Sequence, residues 1–187
     1  MTEHADYFNY LRGRGRLGLL YRRFFLYPRL ARLLSGRVLD VGCGIGDFLR
    51  FRRGTVGVDV NPHAVEWCRQ HGMDCQPMES DHLPFVDDSF DGVVLDNVLE
   101  HLVRPLPLLA EIHRVLKPGG RLLIGVPGPR GYACDADHKV FYAEADLERA
   151  LAAADFSMKY IFYTPWKSKW LASRLPQYCL YGVFERP

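Results

Sequence analysis

A short apolar strand that breaks into a glycine-rich turn is the feature that most constrains this chain. Residues Val38–Val41 predict a buried parallel strand, and glycines then occupy every second position from Gly42 to Gly46. Glycine adopts positive φ and lets a ligand approach the backbone, so such a turn exposes main-chain N–H groups at the start of a helix. The pattern predicts an α/β sheet with a ligand-binding turn at one edge, although an ordinary glycine-rich turn shares this composition.

An acidic residue just before the glycines indicates the charge of the ligand. Asp40 lies at the predicted strand end, and the spacing is G-x-G-x-G rather than the G-x-G-x-x-G of dinucleotide sites. A carboxylate would repel a pyrophosphate, whereas it would stabilise a ligand that carries an ammonium and a sulfonium. The turn therefore favours a cationic ligand, and a nicotinamide-dependent oxidoreductase is the less favoured alternative.

A second acid ends the next predicted strand. Thr55-Val56-Gly57-Val58 is a short apolar run that leads into Asp59, and Asn61-Pro62 then begins a helix. In nucleotide-binding α/β units, a carboxylate about 20 residues after the glycines accepts hydrogen bonds from the ribose hydroxyls. Asp59 is therefore the predicted ribose ligand.

Four successive motifs resemble those of small, single-domain class I S-adenosylmethionine-dependent methyltransferases. They are VLDVGCGIGDFL, VGVDVNPHAVEWCR, LPFVDDSFDGVVLDNVLEHL and LPLLAEIHRVLKPGGRLLIGVP, and the resemblance covers residues 36 to 163. It implies a Rossmann-like, doubly wound α/β fold with seven strands, mostly parallel with one antiparallel, and S-adenosylmethionine as cofactor. The motifs are specific for the cofactor and not for the methyl acceptor.

The same resemblance implies a set of cofactor-binding residues. Asp40 is expected to orient the methionine ammonium and Asp59 the ribose, while the backbone of the glycine turn makes room for the ligand. The full predicted set is Asp40, Gly42, Cys43, Gly44, Asp59, Val60, Glu79, Ser80, Asp96 and Asn97.

The adenine contacts are expected after the third strand. The run from Glu79 to Phe85 resembles the family pattern D-A-E-x-L-P-F, which puts Glu79 against the exocyclic amine and the Ser80 N–H near a ring nitrogen. Asp81 is the alternative acid, and a solvated acidic loop without a binding role is a further interpretation.

The tip of the fourth predicted strand, Phe90–Asp96, faces the same rim as Asp40 and Asp59, because carboxyl ends of parallel strands meet at one edge. The resemblance places Asp96 and Asn97 along the methionine part of the cofactor, close to the acceptor.

One histidine is the candidate base. Family members resembling this chain carry a His-x-x-x-Phe/Tyr element before the helix that starts at Glu144, and His138 occupies its first position. An imidazole titrates near neutral pH, which suits it to accept a hydroxyl proton as the methyl arrives. The alternative is a histidine that fixes the loop by hydrogen bonds to the backbone.

Two parts of the chain are predicted: a basic helical lid or extension, residues 1–35, and the methyltransferase domain, residues 36–187. The first part holds seven arginines against Glu3 and Asp6. Its amphipathic pattern favours helices that pack Phe24, Phe25 and Leu30 on the domain and leave the arginines in solvent.

The alternative for this basic extension is a binding surface for an acidic substrate or for peripheral contact with an anionic membrane. The arginines that would form it are Arg12, Arg14, Arg16, Arg22 and Arg23.

Composition and length bear on the cellular compartment, on metal binding and on the class of substrate. The five cysteines are scattered and show no CxxC or Cys/His ligand spacing, which indicates reduced thiols, no metal site and a cytoplasmic protein. No apolar run reaches the ~18 residues of a membrane span. The short chain leaves little room for an RNA-binding appendage, which disfavours nucleic acid as substrate.

The sequence therefore predicts a methyltransferase that acts on a small-molecule, saccharide or lipid-linked acceptor, with O-methylation of a hydroxyl favoured. N-methylation of a small amine and a non-catalytic module that binds the cofactor or activates a partner are the alternatives.

Overall fold

The computed structural model describes residues 3–13 and 15–187. Arg14, one of the arginines of the predicted binding surface, lies outside the described residues. The helices are α1 (Glu3–Arg12), α2 (Arg16–Tyr21), α3 (Tyr27–Arg32), α4 (Asp47–Phe51), α5 (Pro62–Gln70), α6 (Leu106–Val115), α7 (Pro129–Tyr132), α8 (Glu144–Ala152) and α9 (Lys169–Arg174). The strands are β1 (Val38–Val41), β2 (Val56–Asp59), β3 (Cys75–Pro77), β4 (Phe90–Asp96), β5 (Leu116–Pro127), β6 (Ser157–Thr164) and β7 (Cys179–Glu185).

The strands form one seven-stranded sheet in the order β3-β2-β1-β4-β5-β7-β6. β1 to β5 are parallel to one another, and β7 runs antiparallel to both β5 and β6. The strand order reverses between β1 and β4, which is where ligands collect in sheets of this kind. The predicted doubly wound, mostly parallel sheet is confirmed.

Helices cover both faces of the sheet, so its central strands are buried on both sides. All four residues of β1 are buried, and β4 is buried at Val93, Val94 and Leu95. In residues 3–13 and 15–187 no helix combines the length and apolar character needed to cross a membrane.

The start of β5 is irregular, because the segment between Leu116 and Arg121 leaves the regular pairing with β4. Phe90 pairs with Leu116 and Gly92 pairs with Arg121, so the residues between them bulge out of the ladder. Lys117 Nζ lies 2.7 Å from an Asp91 carboxylate oxygen, which ties the bulge to the neighbouring strand.

The N-terminal helices pack on the domain, but through a different face from the one predicted. Leu30 is buried as expected, whereas Phe24 and Phe25 are 71% and 43% exposed, so their predicted burial is wrong. The cause is a π-helical turn over Arg22–Leu26, because a wider turn rotates the helical face. Leu26 and Arg22 face inward instead, and the prediction that the arginines lie in solvent is therefore wrong for Arg22.

Candidate functional site

The carboxyl ends of β1, β2 and β4 open into one cavity of about 1210 Å³, closed on the other side by the N-terminal helices. It brings together the predicted residues Asp40, Gly42, Cys43, Gly44, Asp59, Val60, Ser80, Asp96, Asn97 and His138. Residues that sequence reasoning did not assign, including Arg22, Tyr27 and His101, also line it.

The glycine turn lines this cavity and packs closely against Val98. Gly42 has φ 72°, and a Cβ at that position would lie 2.5 Å from a Val98 methyl carbon. Only glycine combines this conformation with so close a neighbour. The positive φ and the contact with Val98 therefore require glycine at this position.

The main-chain N–H groups of Gly42, Cys43 and Gly44 are hydrogen-bonded, so the prediction that the turn exposes them is wrong for these three residues. The N–H groups of Gly42 and Cys43 donate to the Val58 carbonyl at 2.8 and 3.0 Å, and that of Gly44 donates to Asp59 Oδ2 at 2.7 Å. Because β2 runs beside β1, its end accepts these donors. The turn thus lacks the cluster of free donors that a pyrophosphate requires.

Asp40 lies buried at the end of β1 among other acids. Burial raises the pKa of its carboxyl well above the ordinary value, and the nearby carboxylates of Asp96 and Asp59 raise it further. Such a site disfavours its own negative charge until a cation enters. The electrostatics of the cavity therefore suit a positively charged ligand.

Asp59 accepts backbone hydrogen bonds on both carboxylate oxygens. Gly44 N–H donates to Oδ2, and Asn61 N–H donates to Oδ1 at 2.8 Å. Burial raises the pKa of Asp59, and these two donors lower it. The carboxylate is held in one orientation at the cavity wall and keeps lone pairs for further donors.

Of the residues predicted to contact the adenine, some line the cavity and others lie outside it. Ser80 lines the cavity together with Met78, whereas Glu79 and Asp81 are exposed and lie outside its lining. Glu79 instead forms an isolated bridge with His82. The assignment of an acid to the adenine amine stays a prediction.

The tip of β4 carries a polar network around Asp96. Tyr181 Oη donates to Asp96 Oδ1 at 2.7 Å, and Asn97 Nδ2 donates to the same oxygen at 2.9 Å. Arg22 Nη1 lies 3.4 Å from Oδ2. The only sequence signal for Arg22 was its place in a basic helix, which did not show that it faces the cavity.

His138 has a defined tautomer. Its Nδ1 lies 2.9 Å from the Tyr132 carbonyl oxygen, which can only accept, so Nδ1 carries the proton. Nε2 is therefore the ring nitrogen that does not bond to Tyr132. It lies 3.8 Å from Glu100 Oε1 and 3.9 Å from Asp135 Oδ2.

Glu100 is a buried acid that the sequence analysis did not include in the site. Its residue is 0% exposed, and neither carboxyl oxygen has a hydrogen-bond partner among the described residues. Its main-chain carbonyl accepts from Lys139 and Val140, which attaches the His138 loop to the end of β4. Burial raises the pKa of Glu100 from 4.5 to about 8, and Asp96 adds to the rise.

The raised pKa of Glu100 predicts that the free energy of unfolding of the protein depends on pH. Because the folded protein keeps the Glu100 proton between pH 4.5 and about 8 while the unfolded chain loses it, the free energy of unfolding should fall as pH rises through that range. The slope contributed by one group is at most ~1.4 kcal/mol per pH unit. Glu100→Gln should remove this contribution, as measured by urea unfolding across the range.

Glu111→Gln is the matched control for Glu100→Gln. The Arg114 guanidinium lowers the pKa of Glu111 to about 2, so Glu111 is ionised in both folded and unfolded states near neutral pH. Its variant should keep the wild-type slope above pH 5.5, a pH about one unit above the ordinary glutamate pKa. An unchanged slope in Glu100→Gln would contradict the assignment.

Comparison with known proteins finds sequence matches to proteins described as methyltransferases. The family profile described as "Methyltransferase domain" matches residues 39–124. The chain is 37% identical over 143 residues to "Probable phthiotriol/phenolphthiotriol dimycocerosates methyltransferase 2" of Mycobacterium ulcerans, covering 69% of this chain and 51% of that protein. It is 28% identical over 168 residues to "Ubiquinone biosynthesis O-methyltransferase" of Xanthomonas oryzae pv. oryzae, covering 73% and 70%. The chain spans about half the length, or less, of several curated relatives that it matches.

The fold is also shared with solved structures. A SAM-dependent methyltransferase from Thermotoga maritima superposes with a TM-score of 0.79 at 20% identity, covering 98% of this chain and 99% of that chain. This likeness extends over the N-terminal helices as well as the sheet. The profile match identifies a methyltransferase domain in residues 39–124, and the strand order and structural likeness show that the chain has the Rossmann-like fold of S-adenosylmethionine-dependent methyltransferases.

Proposed function

We propose that this protein transfers a methyl group from S-adenosylmethionine to a hydroxyl of a small-molecule, saccharide or lipid-linked acceptor. The observation that carries the proposal is a single cavity with buried acids on one wall and, at its lining, His138, whose Nδ1 bonds to a main-chain carbonyl and leaves Nε2 for a substrate. The acids suit a cationic cofactor, and the imidazole suits an acceptor that must lose a proton.

The cavity fits S-adenosylmethionine, whose sulfonium supplies an activated methyl group. Asp40 would hold the methionine ammonium, and Asp59 would accept from the ribose hydroxyls. Gly42 and Gly44 line the same cavity, so the ligand would lie against the backbone of the glycine turn. The volume of about 1210 Å³ exceeds the ~300–1000 Å³ of ordinary ligand pockets, which supports a site for cofactor and acceptor together.

Arg22 would hold the carboxylate of the methionine moiety. Its guanidinium lies at the cavity, 3.4 Å from the Asp96 carboxylate, which fixes its position. An amino-acid ligand presents one cationic and one anionic group, and Asp40 and Arg22 offer the complementary charges. A buried arginine suits a carboxylate because it remains charged and can bind in a bidentate manner.

Arg22→Gln is expected to weaken S-adenosylmethionine binding by about 10- to 150-fold, because a hydrogen bond to a charged group contributes ~1.5–3 kcal/mol. Calorimetry with S-adenosylmethionine and with its decarboxylated analogue would test this role. Only the parent compound should lose affinity in the variant. An equal loss with both ligands would mean that Arg22 supports the fold of the site and not the carboxylate.

His138 would act as the base that accepts the hydroxyl proton. The Tyr132 carbonyl holds Nδ1–H, so Nε2 is the nitrogen available to the acceptor. Most of the remaining catalytic effect would come from holding acceptor and methyl in line within a cavity that excludes water, an effect that can reach ~7–11 kcal/mol.

An exposed apolar surface next to the cavity supports a lipid-linked acceptor or contact with a membrane. Leu17, Leu20 and Phe24 are 84%, 51% and 71% exposed. Two exposed arginines flank them, Arg16 and Arg23. Apolar side chains beside cations are typical of surfaces that rest on anionic lipids. The relative named as an O-methyltransferase further supports a hydroxyl acceptor.

A screen of hydroxyl and amine acceptors, read by mass as release of S-adenosylhomocysteine, would test the proposal. Turnover of hydroxyl compounds supports O-methylation, and turnover of amines alone would assign the chain to N-methylation. Cofactor binding without turnover of any acceptor would favour the non-catalytic module.

A further inference from the structure

Three cysteines that are far apart in sequence meet beneath the glycine turn. Cys43 belongs to the turn, Cys68 to α5, and Cys75 begins β3. The sulfur atoms of Cys43 and Cys75 are 3.5 Å apart, and all three sulfur atoms lie within 4.8 Å of one another. The cluster matches no short metal-ligand motif in the sequence, because each thiol comes from a different element of the fold.

These separations are close to those around a thiolate-bound metal. Zinc–sulfur bonds of about 2.3 Å at a tetrahedral centre put neighbouring sulfur atoms about 3.8 Å apart. The Cys43–Cys75 distance is slightly shorter, and the upper limit of 4.8 Å requires only a small contraction. Side-chain rotations that move the sulfur atoms by up to about 1 Å would therefore form a three-sulfur site.

The surroundings leave room for the three thiols and add further donors. A Cβ at Gly57 would lie 2.8 Å from the Cys43 sulfur, so the glycine in β2 makes space for that thiol. The Gly44 carbonyl oxygen lies 3.4 Å from the Cys68 sulfur. A Cβ at Gly46 would lie 2.6 Å from the Met73 sulfur and 2.9 Å from the Cys68 sulfur, which puts the thioether on the same side of the turn.

Access and charge also suit a cation. Cys68 and Cys75 are 0% and 3% exposed, whereas Cys43 lines the cavity and connects the cluster to it. The buried acids Asp40 and Asp59 lie along the same cavity wall. A positive ion would be stabilised by these negative neighbours, and the apolar packing of the buried thiols would exclude competing water.

We propose that Cys43, Cys68 and Cys75 form a binding site for one thiophilic d¹⁰ cation such as Zn²⁺, with the Gly44 carbonyl or the Met73 thioether as a further ligand. Soft thiolate and thioether ligands select such ions. Binding releases the thiol protons to solvent as the three metal–sulfur bonds form, up to three per ion. Because Cys43 lies between Gly42 and Gly44, the ion would also hold the glycine turn in the conformation that lines the cavity.

Titration of the reduced full-length chain with Cd²⁺ tests this site without any assay of activity. The proposal expects one ion per chain and a thiolate-to-metal charge-transfer absorption. Replacement of Cys43 or Cys75 by serine should lower the affinity at least about tenfold. Cys134→Ser and Cys179→Ser are matched controls that should leave affinity and stoichiometry unchanged, because both thiols lie outside the cluster.

Persistence of the signal in the cluster variants, or its equal loss in the controls, would overturn the proposal. So would the finding that the reduced wild-type chain binds no ion and that oxidation merely joins Cys43 to Cys75. If a serine variant fails to fold, anomalous scattering from Cd²⁺-soaked crystals of the wild-type protein decides the question. Density between the three sulfur atoms supports the site, and its absence excludes it.

Discussion

Asp59→Ala is expected to weaken S-adenosylmethionine binding by about 10²- to 10⁴-fold, the largest effect on affinity among the substitutions considered. Two charge-assisted hydrogen bonds to the ribose hydroxyls would be lost, and each contributes ~1.5–3 kcal/mol. The substitution also removes the acceptor of the Gly44 and Asn61 N–H groups, so the glycine turn loses its support from β2. Isothermal titration calorimetry with the cofactor measures the loss directly.

A ligand lacking the ribose hydroxyls separates the two causes. Wild-type protein should bind the deoxyribose analogue more weakly than S-adenosylmethionine, whereas Asp59→Ala should bind both alike. Asp74→Ala is the matched control, because this exposed acid lies just before β3 and outside the cavity. An affinity of Asp59→Ala within about twofold of wild type, which is well below the value of one hydrogen bond, would show that the ribose assignment is wrong.

The sheet was predictable because its strands carry a strong local signal. β1, β2 and β4 are short apolar runs with an acid at their last or second-last residue, and a parallel sheet brings such ends to one edge. The acidic wall at Asp40, Asp59 and Asp96 follows from that topology alone. Strand pairing thus converts three separate positions in the sequence into one binding surface.

The errors occurred where a local pattern was altered by its surroundings. Helical periodicity predicted that Phe24 and Phe25 are buried, but the π-helical turn rotated the face and brought Arg22 to the cavity. The glycine spacing predicted free N–H groups, but the neighbouring strand supplies their acceptors at Val58 and Asp59. Neither the π-helical turn nor the acceptors supplied by the neighbouring strand can be recognised from the spacing of residues in the sequence.

Two chemical groups could not be assigned a role from the sequence, because their role depends on tertiary contacts. Nothing in the sequence distinguishes Glu100 from other acids, and only the fold shows that its carboxyl is buried without a hydrogen-bond partner among the described residues. The three clustered thiols come from a turn, a helix and a strand, so they match no ligand motif. Sequence reasoning finds chemistry best when its residues share one element or one sheet edge.

His138→Asn is expected to lower kcat by about 10²- to 10⁴-fold on a hydroxyl acceptor, the contribution typical of a positioned general base. Asparagine can still donate to the Tyr132 carbonyl from its amide nitrogen, so the loop keeps the hydrogen bond that His138 Nδ1–H makes. It lacks a basic nitrogen at the Nε2 position. Steady-state kinetics at saturating cofactor, with the acceptor found by the mass screen, measures the effect.

The comparison of two variants distinguishes a base from a loop support. If His138 only braces its loop, Asn should retain activity and Ala should lose it, because only Asn preserves the hydrogen bond to Tyr132. If Nε2 accepts the proton, both variants should lose activity while calorimetry shows unchanged cofactor affinity. His71→Asn is the matched control, since its Nδ1 also lies 2.8 Å from a main-chain carbonyl, at Trp67, but the residue does not line the cavity. Full activity in His138→Asn would therefore require another proton acceptor, or an acceptor substrate that needs none.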